Sequence, residues 1–254
     1  IISSLTPTIN VNFPQKIERI FTVILLIAMP IISFFSFELM NEINIFKYNN
    51  SLIMLNLFFF YSIYVMFFVL FKKSSLALGL SAFIIEIAAI INQAVIQFKG
   101  LPVLPWDILS IETALSVSLN YRLHWNTSMI NSILITFCII ILASKASYII
   151  NDFKLRIITK LALISIVSFL AFHVSDAAFL EKQGVTVDLW NQREGYSNNG
   201  TLLSFVNNLN FMKVEKPSNY KRATAEEMVS AKVLASSTDS MAKNIIVIMN
   251  ESFA

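Results

Sequence analysis

The sequence is poor in the residues that interrupt regular structure and in charge. Its 254 residues include only 5 glycines and 6 prolines, and 14% are charged. So few turn-forming residues argue against a chain of short strands and disfavour a β-barrel. Together with 56% hydrophobic residues and a mean hydropathy of +0.68, the low charge excludes an ordinary soluble domain. The composition therefore predicts a membrane protein built from long helices.

Two further shortages exclude whole classes of function. The formal net charge is only +3, and the cations are scattered in ones and twos, so no basic stripe suited to nucleic acid is present. Nucleic acid is therefore not expected as a partner. Cys138 is the single cysteine, which excludes an internal disulfide and a cysteine-rich metal site. Because Cys138 lies inside an apolar run, we expect it to be buried and to contribute only packing.

Long apolar segments fill most of the first 174 residues. A helix needs roughly 20 apolar residues to cross the hydrocarbon core, and five segments approach or meet that length. They lie near Ile20–Phe37, Ser51–Phe71, Ser74–Phe98, Thr127–Ile150 and Ile157–Val174. We therefore predict an all-α polytopic membrane bundle of about five transmembrane helices over residues 1–174, with Pro30 kinking the first.

Lysine and arginine are unequally distributed between the two sides of these segments. One side carries eight: Lys16, Arg19, Lys72, Lys73, Lys145, Lys154, Arg156 and Lys160. The other side carries three: Lys47, Lys99 and Arg122. Since cytoplasmic loops carry the excess, the amino terminus is predicted to be cytoplasmic, and five crossings then make everything beyond Val174 extracytoplasmic.

The loop between the third and fourth segments has the pattern of an interfacial helix. After two prolines, one helical face carries the apolar residues Ile108, Ile111, Leu115 and Leu119. Asp107 is placed to cap this helix, and Trp106 and Trp125 are expected to anchor it at headgroup level. Two roles stay open at this point: packing on the bundle alone, or contact with a lipid substrate.

Beyond Val174 the composition becomes polar. Residues 175–240 are predicted to form an extracytoplasmic juxtamembrane linker with one or two short helices and an apolar stripe at Leu202, Leu203, Phe205 and Val206. The serine-rich stretch Ser236–Ser240 suggests a domain boundary. Residues 241–254 are then expected to begin another domain.

The run Asn244–Met249 is β-branched and apolar throughout, as in a strand buried in a parallel sheet. Glu251 follows it, between Asn250 and Ser252. Because ligands bind beyond the carboxyl ends of such strands, Glu251 is a candidate cation ligand or acid/base group, and its two small polar neighbours are candidates to orient it. The alternative is a plain loop or helix-capping carboxylate.

Three stretches resemble one known family. Asn244–Phe253 (NIIVIMNESF) looks like the opening strand of the catalytic domain of the lipoteichoic acid synthase and phosphoglycerol transferase family, within the alkaline phosphatase and sulfatase superfamily. Leu104–Tyr121 (LPWDILSIETALSVSLNY) and Trp190–Phe205 (WNQREGYSNNGTLLSF) are similar to that family's membrane region and linker. The resemblance implies a bacterial cytoplasmic-membrane protein in which residues 241–254 are the start of a truncated α/β catalytic domain.

The same resemblance implies the chemistry. Glu251 would be a ligand of a catalytic divalent metal, usually manganese. A threonine nucleophile and an Asp-His pair would follow residue 254, so the 254-residue chain alone is expected to be inactive. The complete protein would move phosphoglycerol from phosphatidylglycerol to an envelope glycolipid, polymer or glycan acceptor.

Other readings of the sequence stay open. A sulfatase or a phosphoethanolamine transferase of the same superfamily would share the strand and its carboxylate. From a different class, a transporter or membrane scaffold would depend on Glu86, the one acidic residue deep in an apolar segment. Glu86 is alternatively a structural residue, protonated or hydrogen-bonded within the bundle.

Overall fold

The computed structural model describes residues 15–118, 122–146 and 176–212, parts of 157–169, and residues 226–227. Every regular element among them is helical, and no strand occurs in this part of the chain. The chain divides into two units, residues 1–212 and 213–254. In the second unit only Glu226 and Glu227 are described, and both are helical.

Four of the helices are long and apolar enough to cross a membrane, which confirms that the chain is a helical membrane protein. In chain order they are α1 Gln15–Met40, α2 Asn50–Leu70, α3 Ser74–Lys99 and α5 Thr127–Ser144. The label α4 belongs to the short helix Ile111–Ser118, which lies between α3 and α5. The first three agree with the predicted segments to within a few residues. The fourth was predicted to reach Ile150, but the helix ends at Ser144, where Lys145 forms a turn.

Polar residues set the ends of these helices. The Asn49 side-chain oxygen accepts the backbone N–H of Leu52 at 2.8 Å and so caps α2, and Asn126 caps α5 in the same way. At the other end of α3, Gly100 adopts φ +77° and donates its N–H to the Ile96 carbonyl at 2.9 Å. Glycine terminates a helix in this left-handed conformation without steric cost.

The bundle is built around α1, α3 and α5, which contact one another, while α2 packs on α1 and α3. Aromatic rings fill the space between α1 and α2: Phe34 and Phe37 meet Phe60 edge to face, with ring centroids 5.4 and 5.7 Å apart. Among the described residues, α1 and α3 cover one side of α5, and its other side is exposed. Cys138 lies on that exposed side, so the prediction that it is buried was wrong.

The fifth predicted segment is described only in part. Its described residues between 157 and 169 are helical, and the ring of Phe169 lies 5.1 Å from that of Phe58 in α2, edge to face. The four helices that qualify as membrane spans do not include it. A fifth crossing, and with it the side on which the linker lies, stays a prediction.

The predicted interfacial helix is two consecutive elements. A 3₁₀ helix, Pro105–Ser110, leads into α4, Ile111–Ser118. Ile108, Leu109 and Ile111 are all more than half exposed, so this segment presents an apolar surface. Leu119 lies outside the described residues, as does the side chain of Leu115, so the full predicted stripe stays untested.

The described part of the linker, residues 176–212, contains three short helices, whereas one or two were predicted. They are α6 Ala177–Lys182, α7 Gln192–Asn199 and α8 Thr201–Asn208, followed by a 3₁₀ turn, Leu209–Met212. Of the predicted apolar stripe, Leu203 is fully buried and the other members are partly buried. Because α8 contacts α2, these linker helices belong to the same unit as the membrane helices.

Candidate functional site

Buried polar side chains are concentrated at one end of the bundle, where α1 and α3 end and α2 and α5 begin. We call it the linker end, because α7 and α8 cover it. Burying a polar group costs free energy unless the group is hydrogen-bonded. A cluster of buried polar side chains therefore indicates a specific hydrogen-bonded arrangement. The contacts of this cluster define the candidate site.

Glu38, in the last turn of α1, joins the bundle to the linker. The residue is fully buried, and its two carboxylate oxygens accept the backbone N–H and the hydroxyl of Thr201, each at 2.9 Å. Thr201 is the first residue of α8. The N–H groups in the first turn of a helix have no acceptor within the helix, and together with the positive end of the helix dipole they favour a carboxylate. Glu38 therefore caps a linker helix from within a membrane helix.

Gly200 and Asn56 make a second contact beside the first. The Asn56 amide, buried in α2, donates to the Asn199 carbonyl at 2.7 Å. Gly200 has φ +98°, and a Cβ added there would lie 2.4 Å from the Asn56 side-chain oxygen. Only glycine fits this conformation and this close approach.

A third set of contacts fixes the loop that follows α3. The Asn92 amide donates to the Asn41 side-chain oxygen at 2.8 Å and accepts the Val103 N–H at 2.8 Å. The Tyr196 hydroxyl of α7 donates to the Val103 carbonyl at 2.9 Å. Burial raises the pKa of Tyr196 above its ordinary value, so its hydroxyl stays protonated and remains a donor.

A cavity of about 250 Å³ lies among these contacts. Its walls are mostly polar and come from the loop after α1, from α3, and from the linker helices α7 and α8; they include Asn41, Asn92, Gln93, Arg193, Tyr196 and Thr201. Arg193 is exposed and forms no ion pair with any described residue. The Gln93 side-chain oxygen is buried and has no hydrogen-bond partner within the described part of the chain. The cavity therefore offers a cation and an unsatisfied acceptor.

Trp106 and Asp107, predicted as lipid contacts, lie near this cavity but do not line it. Asp107 forms an ion pair with Lys99 at 2.7 Å and accepts the Leu104 N–H at 2.9 Å. The second bond stabilises the start of the 3₁₀ helix, whereas a pair this exposed contributes little. Trp106 is half-buried. Whether either residue touches lipid stays a prediction.

Glu86 lies outside this cavity, in the interior of α3. Its carboxylate accepts the Ser132 hydroxyl at 2.9 Å and the Thr136 hydroxyl at 2.7 Å, and Ser36 of α1 hydrogen-bonds both hydroxyl groups. Glu86 is only 6% exposed. This network joins α1, α3 and α5, where hydrogen bonds between helices supply specificity that apolar surfaces do not. It is the hydrogen-bonded arrangement that a structural role requires.

The predicted metal site falls elsewhere. Asn250, Glu251 and Ser252 lie outside the described residues, and the strand that precedes them does too. The described residues contain no group of three His, Cys, Asp or Glu side chains that could hold a metal ion. The manganese site therefore stays a prediction.

Sequence reasoning missed Glu38, Gly200 and Arg193 as site residues. Glu38 falls one residue beyond the predicted end of the first apolar segment, so it looked like an ordinary flanking charge. Gly200 and Arg193 lie in the stretch Trp190–Phe205, whose resemblance to a family linker was the available signal. Gln93 lies within the third apolar segment and carried no separate signal of its own.

The helices and the cavity define a polytopic helical membrane protein with a polar site at one end of its bundle. No family model, no curated protein and no solved structure matches the chain. The resemblance to the lipoteichoic acid synthase family therefore depends on the three stretches quoted from the sequence.

Proposed function

We propose that this chain is the membrane part of a phosphoglycerol transferase that resembles the lipoteichoic acid synthases. In this proposal the membrane helices anchor the enzyme in a bacterial cytoplasmic membrane. The linker helices hold a catalytic domain, beginning near residue 241, at the extracytoplasmic surface. That domain moves phosphoglycerol from phosphatidylglycerol to an envelope acceptor.

The observation that carries the proposal is the meeting of two of the quoted stretches at the linker end. α8, from the stretch Trp190–Phe205, contacts the 3₁₀ helix Pro105–Ser110 of the stretch Leu104–Tyr121, and Tyr196 hydrogen-bonds the Val103 carbonyl directly before that stretch. The two stretches are far apart in the sequence, and each resembles the same family. Their contact is what a shared structural role would require.

The second support is the firm attachment of the linker. Glu38 and Asn56 hold the segment Asn199–Thr201 against α1 and α2 through buried hydrogen bonds. Buried contacts of this kind restrict motion more than solvent-exposed ones. The linker helices are therefore held against the membrane helices, as the support of a tethered catalytic domain would need to be. The metal would activate the nucleophile in that domain, and the role of the described residues is to anchor it.

The proposal requires the linker end to face the outside of the cell. In a Cys138→Ala background, the Asn198→Cys variant is expected to react with a membrane-impermeant thiol reagent on intact cells. A cysteine at Lys72, at the opposite end of the bundle, is expected to react only after permeabilisation. Both positions are exposed, whereas the neighbouring Ser74 is fully buried and unsuitable for labelling. Reaction at Lys72 but not at Asn198 in intact cells would reverse the topology.

The activity itself is tested in the full-length protein. Turnover of a fluorescent phosphatidylglycerol in vesicles is measured as release of diacylglycerol. Glu251→Ala is expected to reduce turnover by more than about a hundredfold, since a direct metal ligand contributes at least as much as the residues that orient it. The matched control Glu227→Ala should leave turnover unchanged.

Three results would contradict this assignment. Normal turnover and wild-type manganese content in Glu251→Ala would remove the carboxylate from the site. Hydrolysis of a soluble sulfate ester without any lipid turnover would favour the sulfatase alternative. Turnover of phosphatidylethanolamine in place of phosphatidylglycerol would favour the phosphoethanolamine transferase.

A further inference from the structure

We propose that the cavity at the linker end binds the headgroup of a phospholipid. The headgroup would be a phosphodiester whose polar alcohol substituent ends in a hydrogen-bond donor. The apolar groove beside the cavity would take an acyl chain of the same molecule. This site would lie in the membrane part of the protein, separate from the predicted catalytic domain. The inference needs no catalysis, so it does not depend on the proposed activity.

Arg193 supplies the site for the phosphate. It lies in the first turn of α7, lines the cavity, and has no ion-pair partner among the residues described. A guanidinium group binds phosphate oxygens through paired N–H groups, and these charge-assisted bonds are the strong ones. A cation on the wall also disfavours a metal ion or another cation as the occupant at this point.

Gln93 indicates that the headgroup must also carry a hydrogen-bond donor. Its side-chain oxygen is buried in the wall of the cavity without a hydrogen-bond partner, and the residue is only 4% exposed. A buried acceptor left unpaired is costly, so a ligand that donates a hydrogen bond would relieve that cost. A hydroxyl or an ammonium group does this, but a quaternary ammonium has no N–H to give.

An apolar groove of about 430 Å³ adjoins the cavity and identifies the ligand as an amphiphile. Its walls include Phe35, Leu39, Ile45 and Phe46. Ile43 and Glu42 line both the groove and the polar cavity, so the two spaces share a wall. A headgroup in one and an acyl chain in the other match the two halves of a phospholipid.

The shared wall also limits the charge of the ligand. Glu42 is exposed, and its carboxylate accepts a hydrogen bond from the Asn126 amide of the α5 cap. A negative charge here repels the second charge of a phosphomonoester and favours donors such as hydroxyl or ammonium. The site is therefore suited to a phosphodiester lipid rather than to phosphatidic acid.

The experiment uses the 254-residue chain purified in detergent. It is mixed with equal amounts of phosphatidylglycerol, phosphatidylethanolamine and phosphatidylcholine of identical acyl chains, and retained lipids are counted by native mass spectrometry. The wild-type chain should retain the first two about fivefold over phosphatidylcholine, which lacks a donor. A preference between the first two identifies the donor as hydroxyl or ammonium.

Two variants separate the parts of the site. Arg193→Gln should lower retention of all three lipids by about tenfold, whereas Lys182→Gln, which changes an exposed cation of α6, should not. Gln93→Leu should bring the two donor lipids down to the phosphatidylcholine level. Because Gln93→Leu removes an unpaired buried atom, its unfolding temperature should not fall, so lost lipid retention cannot be attributed to misfolding.

Three results would overturn the inference. The first is equal retention of phosphatidylcholine by the wild-type chain. The second is wild-type lipid retention in Arg193→Gln together with wild-type lipid preference in Gln93→Leu. The third is displacement of the bound lipid by an equimolar amount of soluble glycerophosphoglycerol, the same phosphodiester headgroup without acyl chains, which would show that the groove contributes nothing to binding. Since no turnover is measured, failure of this site and failure of the proposed activity are distinguishable.

Discussion

Gly200→Ala is expected to destabilise the linker end by about 3 kcal/mol or more. The backbone at Gly200, with φ +98° and ψ 145°, lies in a region that residues with a Cβ rarely adopt. The new Cβ would also lie 2.4 Å from the Asn56 oxygen and 2.6 Å from its nitrogen. Asn56 cannot move away freely, because its amide is buried and holds the Asn199 carbonyl.

Two other glycines provide matched controls. At Gly195 in α7 an added Cβ meets nothing closer than the Asp188 carbonyl oxygen at 3.9 Å, and at Gly79 in α3 nothing closer than 4.0 Å. Gly195→Ala and Gly79→Ala should keep or raise stability, since alanine is the better helix former. Thermal unfolding in detergent and proteolysis of the linker measure all three. Wild-type values for Gly200→Ala would show that the close approach to Asn56 is not maintained.

Glu38→Leu should release α8 from the bundle at a cost of about 2 to 3 kcal/mol. Leucine fills part of the space but leaves the N–H and hydroxyl of Thr201 without an acceptor. Glu38→Gln keeps one side-chain oxygen for the Thr201 N–H, and the Thr201 hydroxyl can turn to accept from the new amide. The glutamine variant should therefore lose less than half as much stability as the leucine variant.

The measurement is the rate of proteolysis within residues 176–212, together with thermal unfolding. Glu112→Leu is the control, because Glu112 is exposed on α4. Equal destabilisation by Glu38→Leu and Glu38→Gln would mean that the negative charge, and not the pair of acceptors, holds α8. No destabilisation by either variant would mean that Glu38 does not cap α8.

The membrane helices were predictable because their signal is local. A run of about 20 apolar residues is stable in a membrane as a spanning helix, because a helix satisfies all of its backbone hydrogen bonds internally. Their ends were less predictable, as α5 shows by ending at Ser144. Which side of a helix is buried was not predictable, because all sides of such a helix are apolar. The same apolar residues are stable against lipid and in the interior of the bundle. The error at Cys138 follows from this.

The site was less predictable because its contacts join distant parts of the chain. Glu86 stood out as an acidic residue in an apolar segment, but the sequence could not show that Ser132 and Thr136 meet it. Glu38 and Thr201 carry no local pattern that links them. The family resemblance singled out the stretch containing Arg193, yet only the fold shows that Arg193 and Gln93 share a cavity.

The bonds between Glu38 and Thr201 span 163 residues of sequence, which has a consequence for synthesis. Contacts between distant residues form late, because the intervening chain must first be ordered. The ribosome completes the membrane helices α1, α2, α3 and α5 well before it reaches Thr201. Until then Glu38 lies in the inserted helix without the two Thr201 groups that donate hydrogen bonds to it, and a carboxylate without donors favours contact with water at the helix end. The linker closes over it last, so burial of Glu38 is a marker of completed assembly.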